Sequence, residues 1–123
     1  MNKLILSNNN EDKKIITFTI NKEIKIKLRE TLVNNKNYNL KKKTEWVNEA
    51  ILMLKKNPDY KEMVCNAEAN SKDFVFDKIY MTFKQRCIFA EMRSAIVKTF
   101  PDIRGPQAAI LRTAILSRLM RKS

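Results

Sequence analysis

The sequence predicts a mainly helical fold built on a two-stranded antiparallel β-ribbon. Two short segments, residues 14–21 and 78–85, alternate large apolar residues with other residue types. A period of two is typical of a strand that buries one face. Each segment is followed by two stretches with apolar residues at helical spacing, so the order strand–helix–helix occurs twice in 123 residues.

The first unit is predicted over residues 13–56, after a flexible N-terminal arm at residues 1–12. Asn21 follows the first strand and is a good N-cap, which predicts a helix over residues 22–34. The asparagine-rich stretch after it favours a turn. A second helix is predicted over residues 43–56 by a broad apolar stripe. The stripe consists of Trp46, Val47, Ala50, Ile51 and Leu54.

The second unit is predicted over residues 77–123, and it follows an acidic linker at residues 57–76 with room for a short helix. Gly105 is the only glycine and favours a turn, and Pro106 suits the first position of a helix. The predicted elements are a strand that buries Ile79, Met81 and Phe83, a helix over residues 85–99, and a helix from Pro106 to about residue 121.

The two units match in pattern and element order, which indicates an internal repeat. Ile16 aligns with Ile79 at an offset of 63 residues, and Trp46 aligns with Ile110 at an offset of 64. An offset of 64 in the strand would turn Thr82 inward, because successive strand residues point to opposite faces. The offset is therefore predicted to change by one residue at the junction between the strand and the helix.

One strand with two helices is too small to bury its own apolar face, and a hairpin alone is marginally stable. We therefore expect the two strands to pair antiparallel, with four helices over one face of the ribbon. The residues expected on the covered face are Ile16, Phe18, Ile20, Ile79, Met81 and Phe83. The residues expected toward solvent are Thr17, Thr19, Tyr80 and Thr82.

The composition indicates a polyanionic partner, because the chain carries 25 Lys and Arg and a net charge of +12. The excess positive charge lies in both units, whereas the linker is acidic. The chain has no histidine and no evident carboxylate pair, which argues against an enzyme; two cysteines alone make a zinc site unexpected. We expect no cofactor and no bound metal.

Two segments of the first unit, ITFTINKEIKIKLRE and KTEWVNEAI, resemble the ribbon-helix-helix DNA-binding family, which includes the Arc and methionine repressors. ITFTINKEIKIKLRE is similar to the family's strand and first helix, and KTEWVNEAI to the start of its second helix. The second unit has RGPQAAILRTAI, with Gly and Pro where the family usually has Ser or Thr and an acid. Two units in one chain resemble the tandem branch that includes TraY, an accessory factor of conjugative plasmids.

The resemblance implies a tandem ribbon-helix-helix pseudo-dimer that binds double-stranded DNA. The implied role is a transcriptional repressor, or a relaxosome or partition factor of a plasmid or other mobile element. The major groove of B-DNA admits a two-stranded ribbon. The side chains that the resemblance assigns to base edges are Thr17, Thr19, Tyr80 and Thr82.

Phosphates are expected at the N-termini of the second helices, where free N–H groups and the helix dipole favour an anion. The lysine triplet at residues 41–43 is expected to be exposed there and to bind phosphate. The alternative is that it forms a solvated turn with no ligand. The residues predicted to contact phosphates are Lys41, Lys42, Lys43 and Thr44 in the first unit, Arg104, Gly105 and Gln107 in the second, and Lys14, Lys78 and Lys84 near the ribbon.

Two other functions stay open at this point: an antitoxin-like protein-interaction module, and an RNA-binding protein. We expect a monomer in the absence of DNA, with side-by-side assembly on DNA or a protein partner in a mobile-element complex as further options. The chain shows no apolar run of membrane-spanning length and no signal peptide. A cytoplasmic protein with no membrane partner is therefore expected.

Overall fold

The computed structural model describes residues 13–33, 39–66 and 73–121, which form five helices and one two-stranded sheet. The predicted mainly helical class with an antiparallel ribbon is confirmed. The predicted arm at residues 1–12 and most of the predicted turn after the first helix lie outside the described residues. In chain order the elements are β1 (Lys13–Asn21), α1 (Lys22–Val33), α2 (Leu40–Lys55), α3 (Tyr60–Asn66), β2 (Phe74–Thr82), α4 (Phe83–Thr99) and α5 (Pro106–Met120).

The ribbon has nine residues in each strand, and its central pair is Thr17 opposite Lys78. Burial alternates along both strands, which leaves one covered inner face and one outer face. Phe18, Ile20 and Ile79 lie on the inner face and are at most 4% exposed. The predicted inner face is therefore confirmed at these positions.

The predicted bounds of the second strand were wrong. β2 begins at Phe74, inside the predicted linker, and ends at Thr82. Phe83, predicted to be buried in the strand, is the first residue of α4 and is 61% exposed. The reason is local, because the Thr82 side chain and Gln85 form a reciprocal capping box that begins the helix at Phe83.

The strands correspond end to end at an offset of 61 residues rather than 63, since Lys13 corresponds to Phe74 and Asn21 to Thr82. Ile16 and Ile79 lie opposite each other in the ribbon instead of at equivalent positions. The predicted face of the strand was still right, because the two offsets differ by two residues.

Helices α2 and α5 form the centre of the helical layer. They pack against each other, and α2 also contacts β2 while α5 contacts β1. Val47 from α2 and Ile110 from α5 are fully buried in the shared core. α3, within the predicted linker, adds the fully buried Val64 to the same core, so the two halves share one apolar interior.

Side chains of α2 and α5 also cover the outer edges of the strands. Thr44 Oγ1 accepts from Tyr80 N at 3.2 Å, and Asn48 Nδ2 donates to Tyr80 O at 3.1 Å. On the other strand, Arg112 Nη1 donates to Thr19 O at 3.2 Å. Tyr80 and Thr19 are each the seventh residue of their strand. These bonds satisfy backbone groups that would otherwise invite pairing with another chain.

Candidate nucleic-acid interface

The outer face of the ribbon is left open by the described helices. Thr17 and Lys78 lie side by side at its centre, and both are exposed. Each was predicted to contact DNA, Thr17 at a base edge and Lys78 at a phosphate. The outer face consists of Lys13, Ile15, Thr17, Thr19 and Asn21 from β1, and of Phe74, Phe76, Lys78, Tyr80 and Thr82 from β2.

Thr19 lies on the outer face, half-buried, and its hydroxyl already has a partner. Thr19 Oγ1 accepts from Arg112 Nη1 at 3.0 Å. The Arg112 guanidinium also lies over the ring of Phe74, with Cζ 5.0 Å from the ring centroid. The Thr19 methyl group and hydroxyl proton are the parts of this side chain left for a ligand.

Tyr80 and Thr82, both predicted to contact bases, lie toward one end of the ribbon. Their side chains have different surroundings. Tyr80 is half-buried and lines a groove between the ribbon and the first turn of α2. Thr82 Oγ1 accepts from Gln85 N at 3.2 Å, and Gln85 Oε1 accepts from Thr82 N at 2.9 Å. The Thr82 hydroxyl therefore caps α4, and this structural role is enough to explain a threonine at this position.

This groove brings lysines from two parts of the chain together. Lys13 from the start of β1 and Lys41 from the first turn of α2 line it together with Tyr80. Glu45 also lines it and lies 3.8 Å from Lys42 Nζ, so one carboxylate partly offsets the positive charge. The complete lining is Lys13, Lys41, Thr44, Glu45, Tyr80, Thr82 and Gln85.

The lysine triplet lies in the first turn of α2, because the helix begins at Leu40, three residues before its predicted start. Asn39 is the N-cap, and its side chain accepts from Lys42 N at 2.8 Å. Lys41 and Lys42 are exposed as predicted. The prediction that Lys43 is exposed was wrong, because Lys43 is 8% exposed and its Nζ forms an ion pair with Asp77 Oδ1.

The burial of Lys43 follows from helical spacing and from one polar residue on the inner face of the ribbon. Lys43 precedes Val47 by one turn, so both side chains lie on the covered side of α2. Asp77 occupies an inner-face position of β2 and is 7% exposed. A phosphate role for Lys43 stays a prediction, and its buried partner argues against it.

Thr44, predicted at a phosphate, is half-buried, and its hydroxyl accepts from Tyr80 N. Its place in the groove is compatible with the predicted role, but the hydroxyl oxygen has a structural task as well.

The predicted phosphate site of the second unit lies at the start of α5. Gly105 is the N-cap with a φ of 53°, a left-handed conformation that favours glycine, and no side chain caps this helix. Arg104 and Gln107 are exposed. Arg104 lines a different cavity of about 430 Å³, formed by the loop before α5 and Cys65 of α3. The structure does not bring Arg104 into the ribbon groove.

The remaining predicted cations, Lys14 and Lys84, are exposed near the same end of the ribbon. Lys14 lies opposite Met81, and Lys84 is the second residue of α4.

Sequence reasoning missed three large apolar residues on the outer face, Ile15, Phe74 and Phe76. They are 51%, 45% and 70% exposed, respectively. The signal was present, because the segment FVFDKIYMT has a period of two. Asp77 interrupts the apolar series on the inner face, so the clear alternation begins at Ile79, and the linker is predicted to extend to residue 76.

Comparison with protein-family models finds no match, and searches of curated proteins and of solved structures find none either. Across the described parts of the chain, no helix is long and apolar enough to cross a membrane.

Proposed function

We propose that this chain binds double-stranded DNA by placing the outer face of its ribbon in the major groove. The observation that carries the proposal is a nine-residue ribbon with one face packed on helices and the other open and flanked by lysines. A ribbon of two strands fits the width of the major groove. In this arrangement Thr17, Lys78 and Tyr80 face base edges.

We further propose that the two units form a tandem ribbon-helix-helix pseudo-dimer. Three features support it: strands of equal length, a helix that begins directly after each strand, and equivalent edge contacts made by Asn48 and Arg112. Asn48 and Arg112 bind the seventh residue of opposite strands, as two halves related by a twofold axis would do. Repressor, relaxosome and partition roles use the same contacts, and all three are compatible with the proposal.

The groove beside the ribbon is the proposed phosphate site of the first unit. Lys13, Lys41 and Lys42 lie at or next to it, and the first turn of α2 directs its helix dipole there. A phosphate backbone follows the rim of the major groove, so these cations would hold a strand while the ribbon occupies the groove.

The salt dependence of binding tests this proposal. Each phosphate neutralised lowers the logarithm of the affinity by about 0.9 per logarithmic unit of salt. Changing Lys41 and Lys42 together to Gln should reduce the slope by about 1–2 and weaken binding to every duplex alike. The measurement is fluorescence anisotropy with a random-sequence duplex at several salt concentrations.

A matched control changes Lys56 and Lys98 to Gln. Both are exposed, and both lie at or beyond the C-terminal end of a helix that starts at the ribbon. α2 has 16 residues and is therefore about 24 Å long, which separates Lys56 from the proposed phosphate site at the other end of this helix. The control should keep the wild-type slope. Equal slopes for both double variants would contradict the phosphate site, and salt-independent binding would contradict the DNA-binding function.

RNA binding is separated from this function by competition. The major groove of A-form RNA is deep and narrow, so a ribbon cannot enter it. An RNA duplex of equal length should therefore compete much less well than the DNA duplex. Equal competition would favour the RNA-binding alternative.

A further inference from the structure

The outer face of the ribbon is unusually rich in carbon for a surface that is open to solvent. Phe76 is 70% exposed, Ile15 51% and Phe74 45%. Solvent-exposed apolar groups that lie together usually mark a binding surface. The chain has other exposed apolar residues, but these three share one face of one ribbon.

Cross-strand pairing places Ile15, Phe74 and Phe76 along one face with the two threonines between them. We call this row of residues the apolar strip. Ile15 lies opposite Tyr80, and Thr19 lies opposite Phe76. The central pair, Thr17 with Lys78, adds a methyl group and the single cation in the middle of the strip. Because Thr19 Oγ1 already accepts from Arg112, Thr19 offers mainly its methyl group.

The major groove presents one apolar group, the 5-methyl group of thymine, and otherwise only hydrogen-bond donors and acceptors. Side chains such as Phe and the methyl group of Thr are the ones that contact it. Every base pair presents polar groups there, so the methyl group is the feature by which an apolar strip distinguishes an A·T pair from a G·C pair. The surface chemistry of the strip therefore matches thymine.

The cations around the strip argue for a polyanion rather than for an apolar protein partner. Lys13 and Lys14 lie at one end, Lys78 at the centre and Lys22 at the other end, and all four are exposed. Lys25 reaches the edge of β2, where its Nζ donates to Phe76 O at 2.9 Å. Asp73 and Glu23 offset Lys22 and Lys25 at their end, so the excess positive charge lies at the centre and at the end with Lys13 and Lys14. An apolar strip with this charge beside it complements methyl groups between two phosphate strands.

We propose, on the basis of the DNA-binding function above, that the ribbon reads thymine methyl groups and that Phe76 is its main contact. The class of ligand is therefore a thymine-rich DNA duplex. Ile15, Thr17 and Thr19 extend the same apolar contact along the groove, and Lys78 supplies a positive charge at its centre.

Replacement of thymine by deoxyuridine provides the test, because it removes the methyl group and keeps the base pairing and the charge. Wild-type affinity for A·T-rich duplexes should fall about fourfold for each methyl contact that is lost. In the opposite direction, 5-methylcytosine restores a methyl group in the same groove and should improve binding to a G·C-rich duplex.

Phe76→Ala should remove the larger part of the difference between thymine and deoxyuridine duplexes and leave the salt slope unchanged, because Ile15, Thr17 and Thr19 keep their smaller contacts. The variant is expected to fold, because most of the Phe76 side chain is exposed. Phe83→Ala is the matched control: Phe83 is 61% exposed but lies in α4, outside the outer face of the ribbon. Phe83→Ala should retain the full difference.

The outcomes separate this inference from the function on which it depends. Salt-dependent binding with equal affinity for thymine and deoxyuridine would overturn the reading of methyl groups and leave DNA binding intact. A difference of wild-type size in Phe76→Ala would overturn the role of Phe76 as the main contact. Failure to bind any duplex would overturn both proposals and favour a protein partner for the apolar strip.

Discussion

At the scale of single residues, the ion pair between Lys43 and Asp77 is the feature with the largest expected energetic effect. Both side chains are less than 10% exposed, at 9% and 4%. Asp77 Oδ1 also accepts from Lys78 N at 2.8 Å. The residue of β1 that corresponds to Asp77 is Ile16, so the ion pair occurs in only one of the two halves. It connects α2 with β2.

Lys43→Ala should lower the free energy of unfolding by about 3–5 kcal/mol, because it leaves the Asp77 carboxylate buried without its cation. Lys42→Ala is the control, and its effect should stay within about 0.5 kcal/mol, since the Lys42 side chain is 49% exposed. Urea unfolding measures both. The double change Lys43→Met and Asp77→Leu should recover much of the loss. Equal effects of the two single variants would refute the role of the pair.

At the scale of elements, each strand passes directly into a helix through a side-chain cap. Asn21 Oδ1 accepts from Glu23 N at 2.8 Å and from Ile24 N at 3.3 Å. Thr82 caps α4 at the equivalent position of the second strand. A capped helix start ends a strand sharply, so these residues fix the length of the ribbon.

Thr82→Ala should cost about 1 kcal/mol of stability through loss of the cap. Thr82→Ser keeps the hydroxyl and should restore most of that stability. If the cap is the only task of Thr82, neither change should alter the preference among duplex sequences, as measured by competition binding. A change in preference with Thr82→Ser would support the base contact that the sequence suggested.

At the scale of the whole molecule, one chain supplies both strands of the ribbon and the helices that cover its inner face. A chain with one strand would need a partner to complete the ribbon, whereas this chain does not. The strand edges are also bonded to side chains of α1, α2 and α5, which leaves less backbone open for pairing between chains.

The protein without DNA should therefore sediment as a monomer over a wide range of concentrations. Its midpoint of thermal unfolding should not depend on protein concentration, because no subunit association is linked to folding. A stable dimer with strands exchanged between chains would contradict this prediction.

The sequence by itself determined the class of elements, their order and the faces of the strands. Alternation at Ile16, Phe18 and Ile20 and helical spacing around Val47 are local signals, and local signals are read from the chain alone. The same alternation placed Thr17 outward and Ile79 inward without knowledge of the register. The residues predicted to point outward, Thr17, Thr19, Tyr80 and Thr82, are four of the ten on the outer face.

Only the tertiary structure decided which polar residues are buried and where the second strand begins. Asp77 begins the predicted second unit with no expected burial, because nothing near it in the sequence shows that Lys43, 34 residues earlier, supplies its cation. Once that pair is formed, Asp77 can lie on the inner face and the strand extends back to Phe74. Phe76 then lies on the outer face: the period of two in FVFDKIYMT is compatible with this position, and the long-range ion pair explains why a carboxylate can occupy the inner face beside it.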